Sequence, residues 1–176
     1  YVANTSENNK FHRLIPFEFS DTQAYVLSFG DATLQFFKDR AQISPTCTIV
    51  NGTFASNFDG WTDRSVSPST AAQSSGAMLL TVGSGIPAGE QAVAADMGDY
   101  TLSVTTATSD VILTISTDSD NDGDILSATT LDADTHAVNF SITSEQEGNI
   151  YIRFSSSATA TVDTVSVAAA NPLMVT

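Results

Sequence analysis

The chain has 176 residues, 41% of them hydrophobic, with 20 acidic and 6 basic side chains and a formal net charge of −14. This length fits one ordinary domain, or a small domain with an appendage, and the apolar content excludes wholesale disorder. So acidic a chain lacks the clustered Lys and Arg of a nucleic-acid groove, and its one Cys cannot form an internal disulfide. No membrane span is predicted, because Ser, Thr, Gly and Pro interrupt the longest charge-free stretch, residues 65–89. The chain begins at Tyr1 without signal-peptide features and is expected to be a fragment, a processed chain or a trimmed one.

Charge and composition divide the chain near residues 44–46, where Ser-Pro-Thr forms a plausible linker. Residues 1–46 are rich in Phe and carry four basic and five acidic side chains, a net charge of −1. The remainder has two basic and fifteen acidic side chains, a net charge of −13. We therefore expect an N-terminal β-segment over residues 1–46, a sandwich domain over residues 47–170, and a tail or linker over residues 171–176.

The N-terminal segment is predicted to be mostly extended. Residues 14–19 include Pro16, which a central strand does not accept, so this is an edge strand or a strand start. Residues 23–29 and 33–37 are two apolar runs around Gly30 and Asp31, a pattern typical of a β-hairpin. Two or three strands are not stable alone. The segment therefore needs a partner: the second domain, another subunit or further sequence.

The second part alternates apolar and polar residues with the period of two that half-buried strands require. β-Branched residues dominate these runs, and turn residues recur at roughly ten-residue intervals. No window has the spacing of an amphipathic helix. The fold class predicted is all-β, an antiparallel β-sandwich preceded by a short Phe-rich hairpin. Its predicted strands cover residues 77–82, 91–97, 100–105, 110–117, 125–131, 136–142, 150–154 and 162–167.

Residues 13–43 resemble a recurrent N-terminal segment of tailed-bacteriophage proteins. The match rests on Leu-Ile-Pro-Phe at 14–17, Gln-Ala-Tyr at 23–25 and Phe-Gly-Asp at 29–31, followed by Phe36-Phe37. Such segments occur in the large β-propeller-like proteins of the tail tube, hub or nozzle. The resemblance implies a structural role in a phage tail.

Residues 50–62 resemble the opening "NG-FE----GW" motif of carbohydrate-binding-like jelly rolls. Residues 160–167 are similar to the strand that closes the same domains. The resemblance implies a jelly roll, and it implies a structural calcium ion held partly by an Asp of the closing strand, which is Asp163 here. Thr53 and Ala55 stand where acidic partners for that ion are expected. We interpret Phe54, Phe58 and Trp61 as core anchors, in preference to a sugar platform.

Residues 118–124 carry carboxylates at alternate positions, with Gly123 before the last of them. The four are Asp118, Asp120, Asp122 and Asp124. Hard oxygen donors in this pattern suit Ca²⁺. An EF-hand-like loop requires a bidentate Glu at its twelfth position, where Thr129 stands. A solvated hairpin tip is favoured, and calcium binding at Asp118, Asp120, Asp122, Asp124 or Asp163 stays open. No other cofactor is predicted.

Catalysis is not predicted, because no nucleophile elbow, HExxH or Gly-rich phosphate loop is present. His12 and His136 lie in different parts of the chain, and His136 has the parity of core residues. Cys47 has no motif around it and is interpreted as a small apolar residue.

A glycan site is predicted on the polar side of a strand near the C-terminus. Tyr151 and Arg153 alternate with Ile150, Ile152 and Phe154, so they point away from the core. Asn139 is placed on the same outer face. A Tyr can stack on a pyranose while Arg and Asn bind its hydroxyls, and an ordinary solvent-facing strand is the alternative.

Taken together, the sequence predicts a non-catalytic structural protein of the phage virion, located in the tail. Its expected partners are other tail proteins, with a homo-oligomeric ring as its assembly. The alternative is a glycan-binding adhesin or lectin module that recognises host surface polysaccharide. A non-catalytic module of a glycan-degrading enzyme is the third possibility.

Overall fold

A computed structural model describes residues 13–20, 23–30, 33–38, 41–42, 44–119, 123–170 and 174–175. The chain divides into two compact units, residues 1–45 with 171–176, and residues 46–170. Strands are the only regular secondary structure in the described residues, so the all-β prediction is confirmed. Nowhere in this part of the chain is there a helix long and apolar enough to cross a membrane.

The first unit contains one antiparallel sheet, the N-terminal sheet, in the order β1-β2-β3-β15, with β4 also paired to β3. The predicted hairpin is confirmed, since β2 and β3 pair from Gly30↔Thr33 to Tyr25↔Lys38. Pro16 lies in an edge strand, as expected. The strands are β1 (Arg13–Ser20), β2 (Gln23–Gly30), β3 (Thr33–Lys38), β4 (Ala41–Gln42) and β15 (Met174–Val175).

The C-terminal residues differ from the expected tail or linker. Met174 and Val175 pair with Gln35 and Leu34 of β3, so both ends of the chain contribute to the N-terminal sheet. Two residues are too few to show alternation, and their partner strand lies far away in the sequence, so no local pattern predicts this pairing. In chain order, the second unit is inserted between β4 and β15.

The second unit is a sandwich of two five-stranded sheets. The front sheet has the order β11-β10-β13-β8-β5, and the back sheet has the order β12-β9-β14-β7-β6. Most connections cross between the sheets, as in a jelly roll. The strands are β5 (Thr62–Asp63), β6 (Thr70–Ser74), β7 (Ala77–Thr81), β8 (Ala88–Ala95), β9 (Gly98–Thr106), β10 (Val111–Ser116), β11 (Leu126–Leu131), β12 (Thr135–Ile142), β13 (Gly148–Ser156) and β14 (Ala160–Ala169).

The core of the sandwich is one cluster of apolar side chains from the inner faces of both sheets. The aromatic residues of the opening motif belong to it, because Phe54 and Trp61 are buried with ring centroids 5.4 Å apart. Trp61 also packs against Phe154 at 5.9 Å and donates its indole hydrogen bond to the Val50 carbonyl. The interpretation of these rings as core anchors is therefore confirmed for Phe54 and Trp61.

Hydrogen bonds connect Thr46, the first residue of the sandwich, to Asp96 and Tyr100. The Asp96 carboxylate accepts hydrogen bonds from the Thr46 amide at 2.8 Å and from its hydroxyl at 2.6 Å, and these bonds lower the pKa of Asp96. The buried Tyr100 hydroxyl lies 2.7 Å from the Asp96 carbonyl and 3.0 Å from the Thr46 carbonyl. Cys47 is buried, as its interpretation as a small apolar residue requires.

Candidate functional site

Strand β13 has one side in the core and one side facing outward. Ile150, Ile152 and Phe154 are fully buried, whereas Tyr151 and Arg153 between them are partly exposed. The strand alternates in this way because successive side chains point to opposite faces of a sheet. The structure thus places Tyr151 and Arg153 on the outer side of the front sheet, where the sequence predicted them.

Cross-strand register brings further polar residues beside these two. Arg153 is paired with Glu90 of β8 on one side and with Thr114 of β10 on the other. Tyr151 is paired in the same way with Ala92 and Ser116. Directly paired residues share a face of a sheet. We call this surface the outer face, defined by Arg64, Glu90, Thr114, Ser116, Tyr151 and Arg153.

The centre of the outer face is an ionic cluster around Glu90. This side chain is only 2% exposed, and Arg64 donates a hydrogen bond from Nε to its Oε1 at 3.0 Å. On the other side, Arg153 Nη1 lies 3.9 Å from Glu90 Oε2, within ion-pair range but beyond hydrogen-bond distance. Removing a carboxylate from water is costly, and the two guanidinium groups offset that cost.

Two atoms of this cluster lack hydrogen bonds within the described part of the chain. They are Glu90 Oε2, an acceptor, and Arg153 Nε, a donor, and both are buried. An unsatisfied buried polar atom costs about 1–3 kcal/mol.

The hairpin loop between β10 and β11 borders the outer face next to Tyr151. Ser116, on the same face, accepts a hydrogen bond from the Gly123 amide at 2.8 Å. Asp124 accepts two more at the root of the loop, from the Thr117 amide at 2.8 Å and from the Thr117 hydroxyl at 2.7 Å. The described ends of the acidic segment therefore lie between the paired strands of a hairpin, which agrees with the hairpin favoured from the sequence.

Calcium binding in this loop stays a prediction. Asp120 and Asp122 lie outside the described residues, and Asp124 uses both carboxylate oxygens to hold Thr117. Within the described ranges, no three His, Cys, Asp or Glu side chains come together as a metal site. This applies to Asp118 and to Asp163, which lies in β14.

Asn139 does not share the outer face with Tyr151 and Arg153, and the expectation that it does needs correction. It lies in β12, the edge strand of the back sheet, where its side chain accepts a hydrogen bond from Thr101 at 2.8 Å. Alternation reveals which side of its own strand a residue occupies, but it does not reveal to which sheet that strand belongs. The predicted set of three residues is therefore split between the two sheets.

His136 is not part of the outer face. His136 is half-buried in β12, and its Nε2 lies 2.9 Å from the Asp132 carbonyl, so it is a hydrogen-bonded strand residue as interpreted. His12 lies outside the described residues.

Cys47 has its pKa raised to about 11, mainly by burial and also by the Asp96 charge, so its thiol is protonated at neutral pH.

Arg64 and Glu90 are functional candidates that sequence reasoning missed. Glu90 follows a Gly/Ser/Pro-rich turn and is 26 residues from Arg64, so only the β5–β8 pairing brings the two together. A signal was nevertheless present, because Arg64 and Arg153 are the only basic residues between positions 46 and 170. Because the domain is otherwise acidic, its two arginines are the residues to examine first for a specific role.

No protein-family model and no curated protein matches this sequence. Among solved structures, the chain is similar to a family 29 carbohydrate-binding module from Piromyces equi. The two share 13% sequence identity, and the alignment covers 71% of this chain and 91% of that chain with a TM-score of 0.42.

Proposed function

We propose that the sandwich is a non-catalytic carbohydrate-binding module and that a saccharide binds on its outer face. One observation carries the proposal. The only two arginines of the unit converge on the buried Glu90, beside the partly exposed Tyr151. A few convergent polar groups next to an aromatic ring are the usual composition of a small-molecule site.

Each group has a distinct part in this proposal. The ring of Tyr151 offers an apolar surface for the C–H face of a pyranose, and its hydroxyl offers a polar edge. Arg64 and Arg153, the more exposed members of the ionic cluster, donate hydrogen bonds to sugar hydroxyls, while the buried Glu90 holds their guanidinium groups in place. In this proposal the groups bind and orient the saccharide and take no part in its cleavage.

Affinity electrophoresis against a panel of polysaccharides tests the proposal. We expect Tyr151→Ala to weaken binding about tenfold or more, because it removes the aromatic stacking surface. Tyr151→Phe keeps the ring and is expected to retain most of the affinity. Thermal unfolding of both variants should stay close to that of the unchanged protein, since Tyr151 is not part of the core.

Asn139→Ala is the matched control, because Asn139 lies in a strand of the other sheet. It should leave saccharide binding unchanged. Loss of binding in Asn139→Ala with retention in Tyr151→Ala would contradict the assignment to the outer face. A protein that binds no member of the panel would contradict the function itself.

For the N-terminal unit we propose a second function, assembly into a phage tail. The resemblance of residues 13–43 to tail proteins motivates it, and the exposed apolar side chains of the N-terminal sheet support it. Leu14 is 39% exposed and Phe29 is 41% exposed, and their register places them on opposite faces of the sheet, so each face offers an apolar side chain to a partner. In this proposal the protein is located in the virion tail, with other tail proteins and further copies in a ring as its partners.

Cofractionation of the protein with purified virions tests the second function. We expect the protein in the particle fraction, and ring-shaped oligomers by electron microscopy. Phe29→Ser should reduce incorporation, whereas Tyr151→Ala should not. A protein that never sediments with particles would contradict this role while leaving saccharide binding to be judged separately.

A further inference from the structure

We propose that the outer face takes an uncharged saccharide chain of several units, laid along strands β8 and β13. This inference rests on the proposed function and specifies its ligand. It excludes uronates and sulfated sugars as preferred ligands, and it excludes a single free sugar. Two independent features support it, the charges around the site and the distribution of apolar surface along it.

The two cations of the outer face share one protein carboxylate, which leaves this cluster with a net charge of +1 in a unit whose net charge is −13. Arg64 and Arg153 both lie against Glu90, at 3.0 Å and 3.9 Å, so their charges face a protein carboxylate. They are the only basic residues between positions 46 and 170, which contain fifteen acidic ones. An anionic ligand would therefore find no other cation in the unit to hold it.

Carboxylates stand beside the face near Tyr151. At the Tyr151 end, the bond from Gly123 to Ser116 brings the loop that carries Asp118 and Asp124 to the edge of the face. Charges within a Debye length, about 8 Å at physiological ionic strength, repel an anion that approaches. The same charges do not penalise a neutral sugar.

Apolar surface flanks the ionic cluster at the end opposite Tyr151. Arg64 donates a backbone hydrogen bond to Ala88 at 2.8 Å, and Val66 donates one to Ile86 at 3.0 Å, which continues the β5–β8 register beyond the assigned strand. Val66 and Ile86 are 60% and 57% exposed. Alternation places them on the same side as Glu90.

The resulting surface is long. Tyr151 is paired with Ala92, six residues from Ile86 along the same chain segment. At about 3.3 Å per residue this distance is ~20 Å, which exceeds the size of one sugar ring. Apolar contacts at both ends and hydrogen-bonding groups in the middle fit a chain whose rings present C–H faces and hydroxyl edges.

Pairs of polysaccharides that share a backbone but differ in charge test the neutral-ligand inference. Suitable pairs are highly methyl-esterified against de-esterified galacturonan, and hydroxyethyl against carboxymethyl cellulose and starch. In affinity electrophoresis we expect the neutral member of a binding pair to bind at least tenfold more tightly. Its Kd should change less than twofold between 20 and 300 mM NaCl.

The possible outcomes are distinguishable. A charged member that binds as well as or better than its neutral partner, with affinity that falls as salt rises, would overturn this inference and leave saccharide binding intact. Binding to neither member of any pair would overturn the proposed function, and this inference with it.

A chain-length series tests the extended site. We expect affinity for a neutral oligosaccharide of the binding backbone to rise at least tenfold from the disaccharide to the hexasaccharide. The double variant Val66→Ser, Ile86→Ser should lose most of that gain while keeping its affinity for the disaccharide. Equal affinity for both lengths in the unchanged protein would contradict the extended site.

Val50→Ser is the matched control for that variant. Val50 is 56% exposed, but its backbone is bonded to Gln91, which alternates with Glu90 and so points to the other side of β8. It should leave the gain with chain length unchanged. A loss as large as that of the double variant would show that any exposed valine has this effect and would contradict the placement of the site.

Discussion

Cys47 and Tyr100 are two buried acids at the beginning of the sandwich. Burial is the main cause that raises the pKa of Cys47 to about 11, from an ordinary value of 9.0. Burial likewise raises the pKa of Tyr100 to about 12, from 10.0, with smaller contributions from Cys47 and Asp96. Both groups are therefore harder to ionise in the folded protein than in the unfolded chain.

This difference predicts a loss of stability in alkali. Below pH 9 both groups are protonated in both states, so their contribution to stability is fully present. From pH 9 to 11 the unfolded chain releases the Cys47 proton before the folded protein does, and the free energy of unfolding falls. Thermal unfolding measured from pH 8 to 11 should show the decline, and Cys47→Ala should make it shallower. An unchanged pH dependence in Cys47→Ala would contradict the assignment.

At the residue scale, the sequence predicts which side of a strand a side chain occupies, but not what it meets there. Alternation was enough to place Tyr151 and Arg153 outward from the core. The ion pair of Arg64 with Glu90 depends on the register between β5 and β8. Register is a tertiary property that a single strand does not encode, so the centre of the site was missed.

At the element scale, the opening motif of the sandwich contacts its closing strand at Gly52. The Gly52 carbonyl accepts a hydrogen bond from the Val165 amide at 2.7 Å. A Cβ atom at position 52 would lie 1.9 Å from the Val165 carbonyl oxygen, a backbone atom that cannot turn away. The glycine is therefore required by the close approach of two backbones.

Gly52→Ala is expected to destabilise the sandwich by about 3 kcal/mol, because β14 or the opening loop must move to relieve the overlap. Urea unfolding measures the change. Thr53→Ala, at the exposed neighbouring position, should stay within about 0.5 kcal/mol of the unchanged protein. If Gly52→Ala were equally mild, the close contact between the opening motif and β14 would be contradicted.

Strand positions were more predictable than strand partners. The expected runs at 100–105, 136–142 and 150–154 lie within β9, β12 and β13, and each starts one or two residues later than the strand itself. In β14, Val162 and Val165 are both buried although their parity differs. A β-bulge between Val162 and Thr164 explains this, since one extra residue shifts the alternation.

At the scale of the whole molecule, the sandwich is an insertion between two strands of the N-terminal sheet. Residues 46–170 form a compact unit. In the chain this unit is preceded by β4 and followed by β15, and both of these strands pair with β3. The sequence predicted the first boundary from composition, near residue 46. It missed the return of the chain to β3, because Met174 and Val175 carry no pattern of their own.

This organisation predicts that residues 46–170 fold when they are produced alone, because their core is contained in the two sheets of the sandwich. We expect a cooperative thermal transition within a few degrees of one seen in the full chain. Circular dichroism and calorimetry measure it. An excised unit that is unfolded or aggregated would contradict the division into units.

The central claim is that a saccharide occupies the outer face of the front sheet. NMR of the labelled sandwich during titration with a neutral oligosaccharide tests it most directly, because each backbone amide reports its own position. The account predicts shifts concentrated at Arg64, Glu90, Tyr151 and Arg153, with Asn139 and Thr101 unmoved. Shifts concentrated on the back sheet, or none at the four outer-face residues, would contradict it.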